Sequence, residues 1–267
     1  MKKIKLVMVD VDSTLLNSKK ECTQANVNEI KRITSEGVNF GIASGRTVFN
    51  VLRIIPSWNL SEEVSYVVGS NGAEIYDIDK DILYTNHQLD KETIIDIYNE
   101  YSLLNLDMSI CIYEDIVLAT NHKCKRYEKR LAETGLKEEL IDYPTYVNKS
   151  YPKMIIIAEP IVVDKVIEHY QKNKSDKFRA FRSQPNIVEI VNPELSKSFG
   201  VSKIQDILNL KKEEILTIGD NDNDIEMIRD FTGVAMSNAT ENVKNVATHH
   251  TLSCNESGVA FILNKMV

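Results

Sequence analysis

Lys5-Leu6-Val7-Met8-Val9-Asp10-Val11-Asp12-Ser13-Thr14-Leu15-Leu16 is the stretch that decides the fold. An apolar run that stops at two carboxylates reads as a buried strand presenting them at its C-terminal end. In open α/β sheets that edge is where ligands bind. If the chain stays extended, Asp10 and Asp12 lie on one side of it. A carboxylate placed there can be a nucleophile, a metal ligand or a proton carrier. It can equally be a loop or helix-cap residue, so the rest of the chain has to decide.

Outward from that stretch the first third alternates strand and helix. Residues 21–36 read as a helix, with Thr23 as N-cap, Val27, Ile30 and Ile33 on one face and Gly37 as the stop. The apolar run 38–43 is a second strand ending at Ser44-Gly45-Arg46, and a short helix closed by Pro56 follows. Residues 64–68 form a third strand, ending at Gly69-Ser70-Asn71-Gly72. This succession predicts a parallel sheet with right-handed crossovers. The last third returns to the same style. A helix starts near Ser196-Lys197, a strand at 215–218 ends at Gly219-Asp220, and a helix begins near Asp222. Then come Val234-Ala235-Met236, a helix after Thr240, a short strand near Thr251-Leu252 and a last helix from Gly258.

The middle reads differently. Leu106, Met108, Ile110 and Ile112 alternate with smaller or polar residues, which predicts a strand buried on one face. Glu114-Asp115 looks like a hairpin turn, and further strands fall near 154–158, 178–182 and 187–191, with a few helices between them. The expected organisation is an α/β core, residues 1–83 and 191–267, interrupted by an α+β domain over 84–190 on an antiparallel sheet.

Composition narrows the function. A net charge of −7 and 43% hydrophobic residues describe an ordinary globular protein and argue against a general nucleic-acid or acidic-membrane binder. Cys22, Cys111, Cys124 and Cys254 are scattered, which reads as reduced thiols in a cytoplasmic protein and not as a zinc site. No apolar run is long enough for a membrane span, and the basic start Met1-Lys2-Lys3 is followed by too short an apolar run for a secretory signal. No obligate protein partner is evident.

Four polar clusters fall at strand ends or helix starts of the α/β part: Asp10/Asp12/Thr14, Ser44-Gly45-Arg46, Ser196-Lys197 and Gly219-Asp220-Asn221-Asp222-Asn223-Asp224. Parallel strands send their C-terminal ends to one edge, so the clusters can converge. Asp10 and Asp220 together would repel unless a proton or cation lay between them. A hard divalent ion with oxygen ligands is the natural filler, and Mg²⁺ suits one or two carboxylates plus phosphate. Lys197 and the hydroxyls of Ser44 and Thr14 suit phosphate oxygens. Taken singly, Asp222 and Asn223 could cap a helix, Lys197 could be solvated and Ser44-Gly45-Arg46 could be a turn.

At these residues the chain resembles the haloacid dehalogenase-like (HAD) hydrolases, and within them the Cof-type phosphatases with a large inserted cap of C2B type. Asp10-Val11-Asp12-Ser13-Thr14-Leu15 is similar to the first family motif, Ala43-Ser44-Gly45-Arg46 to the second, Lys197 with its apolar helix to the third and Gly219 to Asp224 to the fourth. Gly233 to Ala239 and Ser257-Gly258-Val259-Ala260 are similar to the Cof-type C-terminal run. The departures are Ser13, where the family usually has Gly, and Ser198, where Gly often follows the lysine.

The resemblance implies a Rossmann-like core and a phosphatase mechanism. Asp10 would attack phosphorus and form an aspartyl-phosphate, and Asp12 would serve as acid and then base. Mg²⁺ would be held by Asp10, the Asp12 carbonyl and Asp220, with Asp224 behind. Ser44, Gly45, Lys197, Asn223 and the Val11 N–H would bind phosphoryl oxygens. Thr14 and Arg46 would support from outside, Arg46 by pairing with a core carboxylate. The inserted domain would act as a lid, with Tyr113, Glu114, Lys153, Arg179, Arg182 and Asn186 as candidate substrate contacts. The expected substrate is a small phosphorylated metabolite, a sugar phosphate first. The alternatives are a phosphomutase or a non-catalytic phosphometabolite sensor on the same fold. The basic run from His122 to Arg130 reads as a solvated helix face, His249-His250 lacks spaced metal partners, and Trp58 reads as a packing residue.

Overall fold

The computed structural model describes residues 3–114 and 116–267, without the side chain of Glu114. Met1-Lys2 and Asp115, half of the expected hairpin turn, lie outside the described residues. Contacts divide the chain into two compact units, residues 1–86 with 195–267, and residues 87–194.

In chain order the first unit opens with β1 (Leu6–Val9), α1 (Gln24–Ser35), β2 (Asn39–Ala43), α2 (Val48–Ile54), β3 (Val64–Gly69), β4 (Glu74–Asp77) and β5 (Ile82–Thr85). The second unit holds α3 (Lys91–Ser102), β6 (Met108–Glu114), β7 (Val117–Thr120), α4 (Lys125–Thr134), β8 (Lys137–Leu140), α5 (Tyr143–Tyr146), β9 (Met154–Ala158), α6 (Pro160–Lys172), β10 (Arg179–Gln184) and β11 (Ile187–Val191). The chain then returns to the first unit with α7 (Lys197–Leu208), β12 (Ile215–Gly219), α8 (Ile225–Asp230), β13 (Thr232–Ala235), α9 (Glu241–Val246), β14 (His249–His250) and α10 (Gly258–Met266).

The first sheet runs in the order β14-β13-β12-β1-β2-β3-β4-β5. From β14 to β3 every pairing is parallel, and β4 and β5 add an antiparallel hairpin. The α/β class expected from the alternation therefore holds. All four residues of β1 are buried, as a parallel strand covered on both faces requires. Helices complete the cover: α1 packs on α10, and α7 packs on α8 and β3. Asn26, fully buried in α1, donates to the Leu15 carbonyl at 3.1 Å and accepts the Ala260 N–H at 2.9 Å. Both ends of its amide are thereby satisfied, as burial of a polar group demands. Trp58 is buried in this core.

Three details differ from the sequence reading. The strand expected near Thr251-Leu252 lies at β14, where Thr248 N–H and Thr251 N–H bond the carbonyls of Gly233 and Ala235 on β13. Tyr84 pairs with Ile75 inside β5, so the first unit runs on to Asn86 and does not end at 83. The second unit likewise extends to Glu194, beyond the expected 190.

The second unit is a six-stranded sheet in the order β10-β11-β9-β6-β7-β8, antiparallel except for β7 beside β8. Met108, Ile110 and Ile112 join a core with α3 and α6 residues. The other face of β6 is buried as well, because Cys111 packs with Leu118, Cys124, Tyr127, Ile155, Ile157 and Ile187. The expectation of one-face burial overlooked Tyr127 of α4, whose hydroxyl donates to the Leu118 carbonyl at 2.8 Å. The rest of the His122–Arg130 run is largely outward-facing, with Lys123 reaching Glu138 and Arg126 reaching Glu133. Lys153 is buried against Glu189 at 3.2 Å, Arg182 pairs with Asp164, and Arg179 stacks on Phe181. Among the described residues no helix is long and apolar enough to cross a membrane, and all four cysteines are free thiols.

Candidate active site

Strands β12, β1 and β2 are consecutive in the first sheet, so Asp220, Asp10 and Ser44, each one residue past its strand, stand side by side at one edge. Asp10 continues the ladder through its N–H to the Ile218 carbonyl at 3.0 Å. Lys197 is the first residue of α7, capped by Ser196, whose hydroxyl accepts the Phe199 N–H. A cation at a helix N-terminus opposes the helix dipole. What holds it there is a pair of carboxylates: its ammonium donates to Asp10 at 2.5 Å and to Asp224 at 2.6 Å, and the lysine is only 1% exposed.

Asp224 is fully buried and fully engaged. Its Oδ1 takes the Lys197 ammonium, and its Oδ2 accepts the N–H groups of Asp220 and Asn221 at 3.0 and 3.1 Å. Gly219 makes this possible, since a Cβ there would sit 2.6 Å from the Asp224 carboxyl carbon. Asp220 accepts a hydrogen bond from the Thr14 hydroxyl at 2.7 Å. Among the described residues, Asp10, Asp220 and Asp224 are the group of acidic side chains whose oxygens lie within 4.8 Å of one another.

Electrostatics follow from that count: three carboxylates share one ammonium. Burial, reinforced by Asp224 and Asp220, pushes the Asp10 carboxyl well above its usual range against the pull of Lys197. Burial and the neighbouring Asp224 push Asp220 up to about 6, against the Thr14 hydrogen bond and Lys197. Burial alone would lower the Lys197 pKa, but Asp10 and Asp224 outweigh it and raise it. The cluster is short of positive charge, and its all-oxygen donor set fits a hard divalent cation.

Asp12 is set apart from this cluster. Arg46 grips it with both Nε, at 3.1 Å, and Nη2, at 2.9 and 3.0 Å, and Lys20 adds an ammonium at 2.9 Å. Burial would raise its pKa, but Arg46 and Lys20 hold it below the usual value. Arg46 thus pairs with a carboxylate of the first unit, the half-exposed Asp12. Ser44 is buried, and its hydroxyl accepts the Arg46 N–H at 3.1 Å. Gly45 forms the turn between them, and Val11 is buried between the two aspartates. Asn223 donates to the buried Asn71 at 3.2 Å.

Every residue expected to do the chemistry or to hold the metal or phosphate lies in the first unit, whereas the substrate contacts expected on the inserted domain lie in the second, and direct bonds link Asp10–Lys197–Asp224, Asp220–Thr14 and Asp12–Arg46. Lys20 and Asn71 were missed. Lys20 sits in a Lys-Lys turn that reads as solvated. Asn71 had a signal, since Asn-Gly past a parallel strand predicts a left-handed backbone at the ligand edge. His249 and His250 are exposed on β14, away from any such acidic group among the described residues.

The two departures from the family motifs have physical readings. Ser198 donates to Asp230 at 2.6 Å, tying α7 to α8. Ser13 has φ 66°, the left-handed region that glycine enters freely. The left-handed penalty of about 1–2 kcal/mol, less glycine's extra unfolded-state entropy of about 0.5–1, predicts that Ser13→Gly stabilises the fold by about 0.5–1 kcal/mol. Chemical denaturation checks this, and a loss of stability would contradict it.

Comparison with known proteins places this arrangement. A sequence model described as haloacid dehalogenase-like hydrolase matches residues 7–263. YxeH of Bacillus subtilis, provisionally named a phosphatase, is 30% identical over 270 residues, covering 98% of each chain. YcsE of the same organism, named a 5-amino-6-(5-phospho-D-ribitylamino)uracil phosphatase, is 27% identical over 263 residues, covering 96% of this chain and 93% of its own. A crystal structure of a haloacid dehalogenase-like hydrolase from Bacteroides thetaiotaomicron superposes with TM-score 0.86 at 27% identity, covering 99% of this chain and all of the other.

Proposed function

The chain belongs to the haloacid dehalogenase-like hydrolases and is a phosphatase, and from that premise we propose that it is Mg²⁺-dependent, works through an aspartyl-phosphate at Asp10, and acts on small phosphorylated sugars or sugar alcohols. The observation that carries this reading is the buried trio Asp10, Asp220 and Asp224 around a single ammonium, with Asp10 and Asp220 both pushed toward protonation. Such a cluster favours a divalent cation over any further anion until the cation is present.

Asp10, the Asp12 carbonyl and Asp220 would hold the ion, with Asp224 fixing the loop behind them. When bound, the ion supplies positive charge beside the carboxylates and phosphoryl oxygens. Lys197, Ser44, Asn223 and the backbone around Val11 and Gly45 bind and orient the phosphoryl group. An Asp10 oxygen forms a bond to phosphorus as the bond to the leaving alkoxide breaks. Asp12 gives that alkoxide a proton, then takes one from the water that attacks the aspartyl-phosphate and frees inorganic phosphate. Asp12 is first held as an anion by Arg46 and Lys20. An arriving phosphoester dianion competes for those two cations and loosens their hold, so the Asp12 carboxylate takes up a proton from solvent water, and that is the proton it passes to the alkoxide. For substrate class the support is YcsE, whose named substrate carries phosphate on a ribityl chain.

Phosphate release from a panel of sugar phosphates, nucleotides, pyridoxal phosphate and an aryl phosphate tests the reading. Activity should vanish with EDTA and return with Mg²⁺; full activity after chelation would exclude the metal role. Metal should also reshape the pH dependence of stability. Asp220 titrates at about 6, above an unfolded aspartate, so its contribution to stability is complete below the ordinary carboxylate range and is lost as pH rises through that value. Mg²⁺ relieves that loss, so the rise in Tm on adding Mg²⁺ should be larger at about pH 7.5 than at about pH 5. Equal shifts at both would contradict a site built on these carboxylates.

A further inference from the structure

The turn after β3 touches three separate pieces of the candidate phosphate site. Ser70 and Asn71 are consecutive non-glycine residues in the left-handed region, φ 49° and 54°. Tertiary bonds hold them there. The Ser70 N–H donates to the Arg46 carbonyl at 2.7 Å, and the Asn71 N–H to the Ser44 carbonyl at 3.1 Å. Buried Glu74 accepts the Ser70 hydroxyl at 2.8 Å and the Val48 N–H at 3.2 Å. Gly72 presses on the N-cap of α7, where a Cβ would come within 2.3 Å of the Ser196 carbonyl oxygen, one residue before Lys197. The Asn71 side chain, 2% exposed, accepts the Asn223 amide at 3.2 Å. One strained turn is therefore bonded to the Ser44 turn, packed on the Lys197 helix start and bonded to Asn223. Strain of this kind persists only where the surroundings over-determine it.

We propose that Asn71 is a positioning residue for phosphate binding, whose carboxamide oxygen fixes Asn223 while its backbone fixes Ser44. This rests on the proposed role of Asn223 at the phosphoryl oxygens. A primary amide on a loop has free rotation and two faces. Tying one N–H to a buried acceptor leaves the other N–H, and the amide oxygen, in a fixed direction. The Asn71–Asn223 bond spans 152 residues of sequence and joins the end of β3 to the end of β12, so it also sets the spacing between the two flanks of the site.

The test is a double-mutant cycle read as the Kd for inorganic phosphate in Mg²⁺ by calorimetry, with KM and kcat for an aryl phosphate alongside. Asn71→Gly keeps the left-handed backbone and removes only the side chain. The loss of one hydrogen bond predicts that Kd and KM rise together by about fivefold while kcat changes less. In the Asn223→Ala background the same substitution should change Kd by less than about 1.5-fold, because the side chain it acts through is gone. An equal effect in both backgrounds, or none in the parent, overturns the proposal. Should Asn71→Gly not fold, Asn71→Ser takes its place with the same two outcomes, since serine already occupies the neighbouring left-handed position. A parent protein that binds phosphate but hydrolyses no phosphoester would overturn the phosphatase mechanism and leave the cycle readable.

Discussion

Asp10→Asn is expected to lower turnover by at least about 10⁴-fold, which is about 5.5 kcal/mol of barrier, while the protein stays folded. The chemical loss follows from the role: an amide cannot form the bond to phosphorus that a carboxylate forms. Stability is the less obvious half. Asp10 sits with Asp220 and Asp224 around one ammonium, and burial has already raised its pKa well above the ordinary value. Its contribution to stability is complete at low pH and lost as pH rises through that raised value, so once ionised the group is a burden in the metal-free protein. An asparagine has nothing to ionise, and its oxygen can still accept from Lys197, which keeps Asp224 at 2.6 Å. The metal-free variant should therefore unfold at the same temperature as the parent or higher at pH 7 to 8. A folded variant with parental turnover would remove Asp10 from the mechanism, and a variant that unfolds would make its loss of activity uninformative.

Lys197→Met acts in the opposite direction on stability. Removing the ammonium leaves three close, buried or partly buried carboxylates with no internal cation, and breaking a buried ion pair from one side costs about 3–5 kcal/mol. Lys197 has its own pKa raised, so in the parent its stabilising contribution is complete below the ordinary lysine range and lost only as pH rises above it. The whole contribution is present at neutral pH and is what the variant loses. The deficit should shrink as pH falls through about 6, where Asp220 takes up a proton, and the raised pKa of Asp10 acts in the same direction. It should also shrink on adding Mg²⁺, which can neutralise the same oxygens. Turnover should fall by at least about 100-fold even in Mg²⁺, because a charged donor to the phosphoryl group is gone. Thermal unfolding across pH, with and without Mg²⁺, checks this. A variant as stable as the parent in EDTA at neutral pH would mean that the Lys197 contacts carry no net stabilisation.

Much of the core was legible because its strands are of the kind that announces itself. β1, β2, β3 and β12 are largely apolar runs cut off by polar clusters, since each is buried along all or nearly all of its length and stops at the ligand edge. Parallel order then brings Asp10, Ser44 and Asp220 together by topology alone. The missed elements lack that signature. Ile82, Leu83, Tyr84 and Thr85 of β5 are all exposed at the end of a sheet, and Lys137-Glu138-Glu139-Leu140 of β8 is polar on both faces, so neither shows an apolar period. Pairings over long separations were equally invisible. Nothing in Asn71 marks it as a partner of Asn223, and Lys153 and Glu189 read as polar interruptions until the sheet buries them as a pair.

The most direct test of covalent catalysis by Asp10 is the stereochemical course of hydrolysis, followed with a phosphorothioate monoester made chiral at phosphorus by two oxygen isotopes and hydrolysed in Mg²⁺ in water carrying the third, so that the thiophosphate released is itself chiral. Attack by Asp10 followed by attack of water is two in-line displacements, so the configuration at phosphorus is predicted to be retained. Inversion would mean a single direct attack by water and would contradict an aspartyl-phosphate at Asp10.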